Sequence, residues 1–159
     1  MKSAYLLLLL SWMPLAAPNA AEQPFTITIT APTPMVKAGS DVWVVVKITN
    51  HSLERLDESG SISGMTSLDP YLGFDVRDTR GNLIAKRVYE HPELATGHPV
   101  NRCIEPGETL TEEQNVSRLY DMTQPGSYIV QVSRPRSGMF TRRVVKSNKL
   151  TIVVTLGRP

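Results

Sequence analysis

The sequence is poor in the residues that carry most catalytic and metal chemistry. Of 159 residues, one is cysteine and three are histidine. Cys103 alone cannot close an intrachain disulfide, so the fold must hold by packing. Its thiol is expected inside, where free cysteines usually sit, or paired with another chain. The chain has no phosphate-cradling glycine loop, no zinc-protease motif and no serine on a nucleophile elbow. Those absences remove the enzyme classes that announce themselves by motif, and we expect no catalytic residue and no cofactor. Acid is missing from one end, with none after Asp121.

Long apolar runs are missing too. The longest stands in MKSAYLLLLLSWMPLAAPNAAEQ, with Lys2 ahead of it, Pro14 interrupting it and small residues leading to Ala21. Charge, short apolar core and small-residue exit are the layout of a secretory leader, and the run is too short for a comfortable membrane span. We therefore expect a leader at 1–21, a single domain at 22–159, export to the periplasm or outside, and no transmembrane span after cleavage. An uncleaved N-terminal anchor is the alternative.

What the chain has is period-two patterning. Phe25 to Thr30 alternates strictly, with Phe25, Ile27 and Ile29 on one face and threonines on the other. Val42 to Thr49 repeats it, with Trp43 and Val45 opposite the valine face, which suggests cover on both sides. Tyr71 to Arg77, the hairpin turn Asp78-Thr-Arg-Gly-Asn82, and a return strand over Leu83 to Val88 follow. Thr109 to Val116, Tyr128 to Val132 and Lys149 to Leu156 complete the set. The long segments 50–70 and 89–106 read as loops, and 31–40 as a break and a turn. Tyr128, just after the turn Gln124-Pro-Gly126, fits the tyrosine corner of Greek-key sandwiches. About seven short strands and no amphipathic helix predict an all-β, Ig-like antiparallel sandwich without a disulfide.

The punctuation itself has a likeness. Ile48-Thr-Asn-His-Ser52, Phe74-Asp-Val-Arg-Asp-Thr-Arg-Gly81, Ile104-Glu-Pro-Gly-Glu-Thr-Leu110 and Gln124-Pro-Gly-Ser-Tyr-Ile-Val130 follow one recurring pattern. It resembles the bacterial intracellular proteinase inhibitor domain and other small Ig-like modules of secreted bacterial proteins. The likeness spans about Val42 to Val132 and implies the fold and a bacterial setting. The export signal and the insertions at 50–70 and 89–106 depart from the inhibitor pattern, so no inhibitory residue carries over.

Charge is unevenly placed. Glu22 to Asp121 holds all 15 acidic residues against nine Lys/Arg, a net −6, whereas Met122 onward holds seven Lys/Arg and no acid, a net +7. Arg134, Arg136, Arg142, Arg143, Lys146 and Lys149 cluster in and just after one expected hairpin. Such asymmetry points to an anionic partner, because the planar arginine fork pairs with carboxylate or phosphate. The same charges also serve a bland purpose, blunting sheet edges or facing Glu112 and Glu113 across strands. The expected function is a non-catalytic binding module for an unknown protein, anionic polymer or envelope surface, without base-specific nucleic-acid readout. Three alternatives stand beside it. One is a secreted proteinase inhibitor with an arginine-rich loop. Another is a periplasmic metal-binding protein using His91, His98 and Cys103, a soft ligand set without a recognised spacing. The third is a structural subunit pairing by a strand edge.

Overall fold

The alternation of Phe25-Thr-Ile-Thr-Ile-Thr30 becomes β1 (Phe25–Thr30), its three apolar side chains buried and its threonines exposed. The computed structural model describes residues 23–63, 66–68, 72–87, 98–135 and 144–157. The leader expected at 1–21 lies outside these. After β1 come β2 (Met35–Lys37), β3 (Trp43–Asn50), β4 (Leu56–Ser63), β5 (Thr66–Leu68) and β6 (Gly73–Asp78). They are followed by β7 (His98–Ile104), β8 (Thr109–Asn115), the single turn α1 (Val116–Leu119), β9 (Gly126–Pro135), β10 (Val144–Lys146) and β11 (Leu150–Thr155).

One sheet runs β1-β3-β8, antiparallel throughout. The other is built on β9, with β6 along one edge, β10 and β11 in succession along the other, and β2 added to β11 in parallel. This pairing matches the two sheets of an Ig-type sandwich. The inner faces meet through Phe25, Ile27, Ile29, Val44, Val46 and Ile48 on one side, and Val76, Val130, Val132, Ile152 and Val154 on the other. Each such side chain, fully buried, contributes about 1.5–3 kcal/mol of transfer free energy, which stands in for the missing disulfide. The Tyr128 hydroxyl donates to the Gln124 carbonyl at 2.6 Å, completing the expected corner. A second tyrosine, Tyr120, donates to the Phe74 carbonyl and ties the end of α1 to β6.

Several expectations are corrected. The segments read as loops at 50–70 and 89–106 contain β4, β5 and β7, which form a third sheet of order β5-β4-β7. The break at 31–40 holds β2, because after Pro34 the chain has crossed to β11 and gains its backbone partners there. The return strand over 83–88 is reduced to isolated bridges at Leu83 and Lys86; Val88 lies outside the described residues. The outer face of β3 is covered only in part, since Val45 is half-buried but Trp43 is 40% exposed. Cys103 is exposed on β7 rather than inside.

Candidate functional site

The corner between β9, β10 and β11 is shaped by one extra residue. Lys146 pairs with Ser133, and Leu150 pairs with Val130. Four steps along one strand therefore oppose three along the other, which is a one-residue β-bulge. Ser147 fills it: its amide donates to the Val132 carbonyl at 2.8 Å, and its hydroxyl accepts from the Val132 amide at 2.9 Å. Gln131 Nε2 holds the Ser147 carbonyl at 2.8 Å. Asn148 then reaches to the opposite sheet. Its Oδ1 accepts from the Ile29 amide at 2.8 Å, and its Nδ2 donates to the Ile29 carbonyl at 3.0 Å. The side-chain amide thus stands in for a neighbouring strand along the open edge of β1.

The bulge also decides where two lysines point. Lys146 and Lys149 are three residues apart, a spacing that on a regular strand sends side chains to opposite faces. The extra residue resets the phase, and both line one groove of about 300 Å³ on the outer face of the β9 sheet. Its remaining walls are Asp75, Arg77, Asp78, Thr79, Gly81, Ile129 and Gln131. Within it Arg77 grips Asp75 with both arms of its fork, Nε at 2.7 Å and Nη2 at 2.9 Å, while Nη1 donates to the Gly81 carbonyl. That fork holds the Asp75 carboxyl below the ordinary carboxylate range against partial burial, and Lys146 and Lys149 add smaller pulls in the same direction. Asp78 is spent on its own turn, accepting from the Arg80 and Asn82 amides and the Asn82 side chain, with Gly81 at φ +86° closing the hairpin. Neither lysine forms an ion pair among the described residues.

The six cations picked out by composition do not share one surface. Arg134 is buried, its guanidinium carbon 5.3 Å from the centre of the Phe25 ring. It follows Tyr128, Val130 and Val132 on the inward face of β9, so its charge serves the sandwich interior. Lys146 and Lys149 are exposed. Arg136, Arg142 and Arg143 lie outside the described residues, in the connection from Pro135 to Val144. Those two ends are paired strand neighbours.

The soft ligand candidates fare differently. His91 lies outside the described residues. His98 and Cys103 open and nearly close β7, and five steps along an extended strand separate their Cα atoms by about 17 Å, too far for one ion. Among the described residues, no three His, Cys, Asp or Glu side chains are grouped to hold a metal.

No family model matches the chain, and no curated protein matches it. Among solved structures it is similar to the CARDB domain of a Pyrococcus furiosus protein, solved in complex with di-metal ions. The two share 13% identity over 84% of this chain and 94% of that one, at a TM-score of 0.49. A likeness that distant has no bearing on the site. No helix among the described residues is long and apolar enough to cross a membrane.

Proposed function

We propose that this chain is an exported, non-catalytic binding module whose β9–β10–β11 corner engages an anionic partner, either an acidic protein patch or an anionic polymer of the cell envelope. The observation that carries the reading is the bulge, which turns Lys146 and Lys149 onto one outer face with no ion-pair partner among the described residues. Asp75 and Arg77 cancel within the groove, and Asp78 against two lysines leaves it a net +1. Arg136, Arg142 and Arg143 lie outside the described residues, in the connection whose two ends, Pro135 and Val144, are paired. Arg134 has no part in the groove.

Retention on an immobilised polyanion such as heparin tests the reading. The native chain is compared with K146S/K149S and with the charge-matched control K37S/K47S. Elution of K146S/K149S at clearly lower salt than the control is the expected result, because exposed charge contacts are screened by salt. Equal loss in both variants would reduce the effect to net charge and remove the corner as a site.

A further inference from the structure

A second site lies where the first strand changes sheets. The last pair of β1 is Thr30 with Val45, after which the chain leaves at Ala31 and Pro32 to become β2 in the other sheet. The start of β3 therefore loses its neighbour on that side, and Trp43 is left 40% exposed. A pocket of about 270 Å³ opens there, lined by Pro32, Thr33, Val36, Asp41, Trp43 and Glu113. It shares no residue with the lysine groove.

Its walls combine three features. Pro32 and Val36 are apolar, Trp43 offers an aromatic ring, and Asp41 and Glu113 bring two carboxylates. The register places Glu113 opposite Val45, and so diagonal to Trp43 on the same outer face, within reach of a large side chain. Neither carboxylate is in an ion pair among the described residues. Lys47, diagonal to Glu113 along that face, makes no pair with it either.

We propose that this pocket is a cation-binding site that takes an arginine or lysine side chain from a partner polypeptide. The apolar wall suits the methylene stem of such a side chain, the indole attracts its cationic head, and the carboxylates accept its N–H groups. A bare metal ion is the poorer fit, since no ligand group of three forms among the described residues.

The test titrates the ¹⁵N-labelled full chain with Ac-Gly-Arg-Gly-amide and with its citrulline counterpart, which keeps the shape but not the charge. The readout is the Trp43 indole N–H, assigned by its loss in W43F. The arginine peptide is expected to give a saturable shift, with affinity about tenfold weaker for citrulline and about tenfold weaker in D41N/E113Q. Both substitutions fall on exposed residues, and an otherwise unchanged amide spectrum verifies the fold. A shift that never saturates, equal affinity for both peptides, or undiminished affinity in D41N/E113Q overturns the proposal.

Discussion

Replacing Asn148 by alanine removes two hydrogen bonds at once from the outer edge of β1. Ile29 is 1% exposed, and its amide and carbonyl are held by the Asn148 side chain at 2.8 and 3.0 Å. Each bond contributes about 0.5–1.5 kcal/mol net, and a buried group left unmade costs about 1–3 kcal/mol. Asn148 itself is exposed, so water entering the vacated space recovers part of the loss. The expected destabilisation is about 1–2 kcal/mol. Urea unfolding should show the midpoint lowered with an unchanged slope, since the surface buried is the same. Amide exchange at Ile29 should accelerate in parallel. N148D sharpens the case. It keeps an acceptor for the Ile29 amide but sets a carboxylate against the Ile29 carbonyl where a donor stood. Its folded pKa is therefore raised, so its stabilising form is fully present below the unfolded value of about 4 and is lost as pH rises through the folded value. N148D should be least stable near neutrality and should recover in acid. An N148A variant with the native midpoint and native protection at Ile29 would refute the strand-mimic account.

Two further outcomes follow from the same geometry. Y128F deletes the 2.6 Å bond to the Gln124 carbonyl and should cost about 1 kcal/mol in urea unfolding, without altering polyanion retention; an unchanged midpoint would deny the corner any energetic role. The lowered Asp75 pKa stabilises the fold above the ordinary carboxylate range and is lost as pH falls through the depressed folded value. D75N should therefore be less stable than the native chain at pH 7, and the gap should close in acid. It should also be small, because the side chains of Arg77 and Asp75 are 43% and 46% exposed. A gap that widens as pH falls would contradict the assignment.

Apart from β8, which shows only weak patterning, the strands visible in the sequence are those that bury one face. β1, β3, β6, β9 and β11 each carry an alternating set of apolar residues, and that set is what the core consumes. The strands that escaped are held by other means. Leu56-Asp-Glu-Ser-Gly-Ser-Ile-Ser63 has no sustained alternation and a single strong β-former, Ile62, so its backbone pairing with β7 and β5 defines it. β2 is three residues between Pro34 and Gly39, too short for any period to register. Leu83, 66% exposed, has no core to enter, and the expected return strand fails there.

The candidate site was legible in composition and misread in direction. Arg134 stands at an even step from Tyr128, Val130 and Val132, so alternation alone places it with the core, whatever its charge. Lys146 and Lys149 carry the opposite lesson, since their odd spacing assigns them to different faces until the bulge is known. A trace of that bulge exists in Val-Val-Lys-Ser-Asn-Lys-Leu-Thr-Ile-Val-Val154. Inward Val145 is an odd-numbered position, whereas inward Ile152 and Val154 are even-numbered. A strand cannot change phase without an inserted residue, and polar Ser147-Asn148 is where the change falls. Counting cations finds that this end of the chain is basic. Following their phase along the strands decides which of them face solvent.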